Sequence, residues 1–303
     1  MRELPNVAAL AAVSEERLQK LWEGLGYYTR ARCLRRAAER VVTDYGGELP
    51  RTFEELKGLP GIGDYTAAAI ASICFGAPEP AVDGNLLRVA ARLCACAEDI
   101  TDARVKRAFR ARMAEAIDRQ RPGAWNQAMM DLGATVCLPG GAPLCASCPL
   151  RSLCEAYRLE LTGLLPARAE RKPRRGEEHT VFLLLRAGRL AVRRRADRGL
   201  LAGLTEFPNA EGSLDEASAR AVLARWGLAA DTLLPGPSAR HIFTHVEWQL
   251  KGYTASVSGE AEGFRWVDAA ELETLAIPAA FRAYTAAART LLRQNPTIAD
   301  NKE

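Results

Sequence analysis

The sequence predicts two domains, a mainly α-helical one followed by a smaller α+β one. Three observations carry this expectation. Apolar residues recur at spacings of three and four from residue 14 to 160, a stretch of prolines and charges breaks the pattern at 163–178, and the runs beyond it alternate as strands do. The 303 residues, 48% apolar and 26% charged, suffice for two cores of ordinary size and exclude a disordered or collagen-like chain. No apolar run approaches the roughly 18 residues that would span a bilayer, and MRELPNVAAL lacks the layout of a signal peptide. A soluble, cytoplasmic protein with no membrane partner is expected.

In the first domain, Leu18, Leu21 and Trp22, then Leu34, Ala37, Ala38 and Val41, mark helical faces. Thr52 with Glu55 reads as a capping box opening a short helix that ends near Gly58. Pro60-Gly61-Ile62-Gly63 then turns the chain into a strongly apolar helix over Asp64 to Phe75, so the pair forms a helix-hairpin-helix. Residues 163–178, GLLPARAERKPRRGEE, hold two prolines and eight charges without apolar periodicity and read as an exposed linker. Past it, Thr180 to Leu185, Leu190 to Arg194 and Ile242 to Val257 read as strands, and Leu214 to Trp226 and Pro278 to Arg293 as amphipathic helices, with Ser213 and Glu216 forming a second capping box. The tail from Asn295 is polar and expected to fray. The domains are therefore 1–162 and 179–303, joined by 163–178.

The net charge of +4 is spread along the chain, with 21 basic against 20 acidic residues in 1–162 and 15 against 14 in 179–303, so charge alone does not announce a nucleic-acid partner. The cysteines say more. Cys137, Cys145, Cys148 and Cys154 follow the spacing C-x7-C-x2-C-x5-C in the loop 137–154, which Gly and Pro bend so that four thiolates can converge on a metal centre. Zinc ribbons pair two C-x-x-C knuckles and only one occurs here, which favours an iron–sulfur cluster. Cys33, Cys74, Cys94 and Cys96 sit in helical pattern and read as small core residues. The turn through Gly61 and Gly63 presents backbone N–H groups at a helix start, where a DNA phosphate can approach without Cβ interference; a plain helix–turn–helix corner is the alternative. Asp83 reads as an N-cap accepting from the N–H groups of residues 85 or 86, and a carboxylate held there can also face a developing cation.

Taken together, Trp22-Glu23-Gly24-Leu25-Gly26-Tyr27-Tyr28, Leu59 to Gly63, Val82-Asp83-Gly84-Asn85, Asn126 to Gly133 and the four cysteines occur in order, and the chain so resembles the adenine DNA glycosylase family, which removes adenine mispaired with 8-oxoguanine. The runs Gly199 to Pro208 and Arg240-His241-Ile242-Phe243-Thr244-His245 resemble that family's Nudix-related domain, which reads 8-oxoguanine. The resemblance implies a monomer acting on double-stranded DNA at the nucleoid and carrying a [4Fe-4S] cluster on Cys137, Cys145, Cys148 and Cys154. It also implies roles at matching positions. Asp83 would steady the oxocarbenium-like sugar cation, Tyr65 and Asn85 would line the pocket, and Gln127 would face the flipped adenine. Tyr27 would wedge into the vacated stack, and Phe243, Thr244 and His245 would probe the 8-oxoguanine strand.

The chain departs from the family in a small way, with seven residues in the first cysteine interval where many members have six, and in one serious way. The family carries a Trp-x-Ser-Glu-x-Met-Leu-Gln-Gln-Thr helix upstream of the segment matching residue 1, and its glutamate is the general acid that protonates adenine. That run is not found in this sequence, so the chain is expected to be N-terminally truncated and slow in excision, the alternative being a noncatalytic lesion-binding protein. An endonuclease-III-like lyase on oxidised pyrimidines is disfavoured because Tyr65 stands where that relative carries its lysine nucleophile. Pyrophosphohydrolase activity is disfavoured because no Glu-rich metal-binding helix follows Pro208.

Overall fold

The computed structural model describes residues 2–140, 142–168 and 173–295. Along the first half run α1 (Val7–Ala12), α2 (Glu15–Leu21), α3 (Tyr28–Tyr45), α4 (Phe53–Lys57), α5 (Asp64–Phe75), α6 (Gly84–Leu93), α7 (Ala103–Ala116) and α8 (Pro122–Asp131). A π-helical turn (Leu132–Val136), two 3-10 turns (Cys145–Ser147 and Arg151–Leu153) and α9 (Glu155–Arg158) follow. The chain divides into two compact units, Met1–Ala12 with Cys33–Arg171, and Val13–Arg32 with Lys172–Glu303. Residues 13–32 keep company with the C-terminal stretch: the Lys20 ammonium donates to the Leu275 carbonyl and the Arg32 guanidinium to that of Ala202.

In the first unit one core gathers Leu86, Val89, Ile100, Phe109, Met113, Met129 and Leu132 beneath α6, α7 and α8. A second, of Val41, Leu56, Leu59, Ala67 and Ala71, holds α3, α4 and α5 together and so seats the hairpin between α4 and α5. Thr52 caps α4 by accepting from the Glu55 N–H at 3.3 Å, while its hydroxyl donates to the Glu55 carboxylate. Helix α5 spans the predicted Asp64 to Phe75 and stops at Gly76, which takes the left-handed conformation that only glycine adopts cheaply.

The second unit is built on a mixed sheet of β1 (Arg175–Arg186), β2 (Arg189–Arg194), β3 (Thr205–Glu206), β4 (Asn209–Glu211), β5 (Leu228–Pro235), β6 (Ala239–Ile242), β7 (Val246–Gly259) and β8 (Arg265–Val267). Its main path runs β3-β2-β1-β7-β5, with β1 and β7 parallel in the register Arg175↔Val246 to Leu185↔Ser256. The run Val181 to Leu185 is buried throughout because both faces are covered. Val181, Leu183 and Leu185 face the core that α12 (Arg282–Gln294) closes, and Phe182 and Leu184 face α10 (Glu216–Arg225). Between them in sequence lies α11 (Ala269–Thr274), whose Asp268 and Glu271 form a full capping box.

Several local expectations are corrected. Helix α10 is capped by Asp215, accepting from the Ser218 N–H at 2.8 Å, and not by Ser213: a carboxylate two residues further on, directly before the first helical residue, takes the role. The span Ile242 to Val257 is not one strand, since the Phe243 N–H donates to the Val246 carbonyl at 2.8 Å and closes a turn between β6 and β7. The linker is shorter and less exposed than its composition suggests. Leu165 is buried with its carbonyl accepting from Arg92, and β1 begins at Arg175 because pairing with β7 orders a charged segment that has no periodicity of its own. Cys74 and Cys94 are exposed and are not core residues, whereas Cys33 and Cys96 are half-buried, Cys96 against the core beneath α6, α7 and α8. Residues 169–172 and the tail after Asn295 lie outside the described residues.

Candidate functional site

Asp83 ends the irregular segment after α5 and caps α6. Its Oδ1 accepts from the backbone N–H groups of Asn85 and Leu86 at 2.9 and 2.7 Å, and its Oδ2 from the Asn85 side-chain amide at 3.0 Å. The N-cap expectation thus holds in detail. These three donors fix the orientation of a carboxylate that, with Tyr65, Gly84, Leu87 and Arg107, lines a cavity of about 510 Å³. Burial, and after it the Asp83 charge, push the Tyr65 hydroxyl above its ordinary pKa, so it stays a protonated donor, and it points at the Met130 sulfur at 3.7 Å. Asn85 does not line this cavity. It is held between Asp83 and Arg88, whose Nη2 donates to its Oδ1 at 3.0 Å, and it orients the carboxylate.

Helix α8 packs against α5 and supports the site without lining its cavity. A Cβ at Gly123 would come within 3.0 Å of the Ile73 backbone, and one at Gly133 within 3.0 Å of the Asn85 Cβ, so both glycines are required for this approach. Asn126 is fully buried and bonded to α5 and to the segment before Asp83. Gln127, the next residue, is exposed and is not brought into the cavity.

From the same helix that Asp83 caps, two buried arginines reach the cysteine loop. Arg88 donates from Nε to the Cys137 carbonyl at 2.8 Å and from Nη2 to the Gly133 carbonyl at 2.6 Å. Arg92 donates to the Leu138 carbonyl at 2.9 Å and to the Cys137 Sγ at 3.2 Å. Burial lowers the Arg88 pKa from its ordinary value. Cys137, Cys145, Cys148 and Cys154 all line one small opening, beside Arg92. Burial, and then the three neighbouring cysteines, raise the Cys145 thiol. Among the described residues, no three His, Cys, Asp or Glu side chains are grouped to hold a single metal ion.

At the hairpin, Gly61 has φ +78° and lies against Cys33, leaving no room for a side chain, whereas Gly63 is extended at φ −93° with open space where a Cβ would stand. The two glycines that look alike in sequence therefore do different things. Gly61 makes the turn, and Gly63 keeps the start of α5 open.

In the second unit, Tyr27 is 69% exposed at φ +46°, on a loop braced by the Trp22 Nε1 donating to the Gly26 carbonyl at 2.9 Å. Its hydroxyl lies 3.3 Å from Thr244 Oγ1. Thr244 and His245 form the exposed tip of the β6–β7 turn, and Phe243 does not: it packs edge-on between His241 and Trp248, at centroid distances of 4.5 and 5.0 Å, as the anchor of the turn. Sequence reasoning missed Arg88, Arg92 and Asn126. Two arginines four apart on an otherwise apolar helix face were a usable signal for the first two.

The chain is similar to known proteins along nearly its whole length. Residues 1–115 match the HhH-GPD superfamily of base excision DNA repair proteins, and residues 180–287 match the NUDIX domain. It is 35% identical to the adenine DNA glycosylase of Homo sapiens over 93% of this chain and 62% of that protein, and 27% identical to that of Schizosaccharomyces pombe over 100% and 78%. It is 34% identical to a thymine-DNA glycosylase of Aeropyrum pernix over 52% of this chain and 71% of that one. The chain spans 62% to 65% of the length of the human and mouse relatives. With both regions matched in order and the Asp83 cap, hairpin and cysteine loop assembled in one unit, the chain belongs to the adenine DNA glycosylase family of helix-hairpin-helix base excision repair proteins.

Proposed function

We propose that this protein hydrolyses the N-glycosidic bond of adenine paired with 8-oxoguanine or guanine in duplex DNA. The observation that carries the reading is Asp83, a carboxylate fixed by three donors at a helix start and facing an open cavity with a protonated Tyr65 beside it. In loss of the base, positive charge develops on the sugar, and a carboxylate already oriented stabilises it without reorganisation. Asn85 holds the carboxylate, Tyr65 lines the pocket, and the N–H groups at Gly61 and Gly63 take a phosphate of the bent duplex. Tyr27 fills the stack, Thr244 and His245 contact the 8-oxoguanine strand with Phe243 as their anchor, and Gln127 reaches the base once DNA is bound.

The protein functions in this proposal as a cytoplasmic, nucleoid-associated monomer whose first unit, Met1–Ala12 with Cys33–Arg171, carries the glycosylase chemistry and whose second, Val13–Arg32 with Lys172–Glu303, carries recognition, in place of the bounds 1–162 and 179–303 expected from sequence. Four thiols around one opening, with the Arg92 guanidinium against Cys137, suit a [4Fe-4S] cluster, whose ligands sit around four irons and not at one point. Such a cluster, held by Cys137, Cys145, Cys148 and Cys154, supplies rigidity to the loop.

One observation favours a second reading, lesion binding without excision. Among the described residues lining the cavity the carboxylates are Asp83 and Asp64, and Asp64 is paired with Lys57 at 2.8 Å and Arg110 at 3.1 Å, so neither is a spare acid for the leaving base. Single-turnover cleavage of duplex containing 8-oxoguanine opposite adenine, under excess protein, decides. Excision that falls on the order of 100-fold or more in Asp83→Asn supports the first reading, and tight binding with no cleavage supports the second.

A further inference from the structure

We propose that Asn126 is a positioning residue for excision: it sets the place of the Asp83 carboxylate by holding the segment that leads into it. The inference rests on the reading of Asp83 as the group that faces the sugar cation. Residues 77–82 join α5 to α6 without belonging to a helix or strand. The Ala77 N–H donates back to the Ala71 carbonyl at the end of α5, but the backbone bonds inside the segment are two short-range ones, from the Glu79 N–H to the Ala77 carbonyl and from the Val82 N–H to the Pro80 carbonyl, and Pro80 has no N–H to give. A segment bonded in this way is weakly specified by itself.

Asn126 supplies what is missing. Its Oδ1 accepts from the Ala81 N–H at 2.9 Å, and its Nδ2 donates to the Glu79 carbonyl at 2.9 Å and to the Ser72 hydroxyl at 2.7 Å. Both amide hydrogens are used, on a side chain with no exposure to water, so alternative partners are not at hand. Two of the three bonds grip residues two and four positions before Asp83, and the third ties the grip to α5, which carries Tyr65. The anchor is itself rigid, because Gly123, one turn earlier on α8, is pressed against the α5 backbone at Ser72 and Ile73. A shift of the 79–81 backbone would therefore be passed on to a carboxylate whose other restraints lie on the far side, in α6.

A cationic sugar mimic tests this without requiring cleavage. Two duplexes carry 8-oxoguanine opposite either a pyrrolidine, charged at neutral pH, or a tetrahydrofuran of the same shape, which is neutral. The ratio of their dissociation constants reports how well a carboxylate faces the cation. Asp83→Asn should abolish the preference for pyrrolidine. Asn126→Ala should cut the preference about tenfold while tetrahydrofuran affinity stays within about twofold, since a displaced group loses aligned interaction before it loses general binding. Ser72→Ala, which leaves both bonds to the 79–81 segment, should keep the preference within about twofold of the starting protein. If Asn126→Ala does not fold, Asn126→Asp is measured instead, because it keeps the shape and the acceptor for Ala81 but cannot donate to Glu79. Equal weakening on both duplexes, or a full preference retained in the Asn126 variants while Asp83→Asn removes it, overturns the positioning role alone. A preference that survives Asp83→Asn overturns the underlying reading of the site.

Discussion

Replacing Gly61 with alanine should unfold the hairpin's support, while the same change two residues on should not. At Gly61 two costs combine. A φ of +78° is the left-handed region, where a Cβ costs about 1–2 kcal/mol. That Cβ would also stand under 3.0 Å from the Cys33 Cβ, an atom next to the backbone that cannot swing away, and such overpacking costs about 1–3 kcal/mol. The expected loss is about 2–5 kcal/mol, or a fall in Tm of roughly 4–20 °C at about 2–4 °C per kcal/mol. Gly63→Ala meets neither cost, since its φ is −93° and nothing lies within 4 Å of the added Cβ. It should keep its Tm within about 2 °C and weaken duplex affinity, because the methyl intrudes where the phosphate approaches. Pairing Gly61→Ala with Cys33→Gly should recover the steric part and leave the backbone part. Thermal unfolding followed by circular dichroism reads all four proteins. A Gly61→Ala protein as stable as its parent, or a Gly63→Ala protein that loses as much, would refute the reasoning.

Arg88→Met leaves the Gly133 and Cys137 carbonyls and the Asn85 amide oxygen without their donor, and should cost about 3 kcal/mol or more by urea titration. The purified protein should be brown, and Cys148→Ser should bleach it and weaken DNA binding; a colourless parent with one equivalent of zinc would exclude the cluster. His245→Ala at the turn tip should lower discrimination between 8-oxoguanine and guanine opposite adenine, and equal loss for both duplexes would mark generic contact. Burial and the nearby Arg282 hold the His241 pKa below its ordinary value, so the fold penalises protonation there. That contribution is complete above about pH 6.5 and is lost as pH falls toward the folded value, so His241→Gln should flatten the fall in urea midpoint between about pH 7 and 5.

The features legible in sequence were those that local chemistry dictates. Asp83 was readable as a cap because a carboxylate before Gly-Asn-Leu has N–H groups within reach whatever surrounds it. Helix α5 was readable because its apolar run is bounded by Gly63 and Gly76. Where tertiary contacts decide, the reading stopped. Charge at residues 175–178 suggested a linker, yet the parallel partner β7 recruits that backbone regardless of its side chains. Phe243 looked like a probe because its burial depends on Trp248 and His241 arriving from neighbouring strand positions. Asn126 was visible only as part of a motif, since its three partners come from segments 45 to 54 residues away.

The parallel pairing of β1 with β7 has a consequence for synthesis. Strand β1 leaves the ribosome with its run Val-Phe-Leu-Leu-Leu complete, but the strand that pairs along its length starts only at Val246, some 60 residues later. At about 5–20 residues per second the run waits several seconds, partnered meanwhile by nothing longer than the β2 hairpin and β4. Five consecutive apolar residues with an unpaired edge are an aggregation hazard during that interval. Slow codons between β2 and β7, or shortage of holding chaperones, should therefore lower the yield of folded protein without changing the stability of the molecules that do fold.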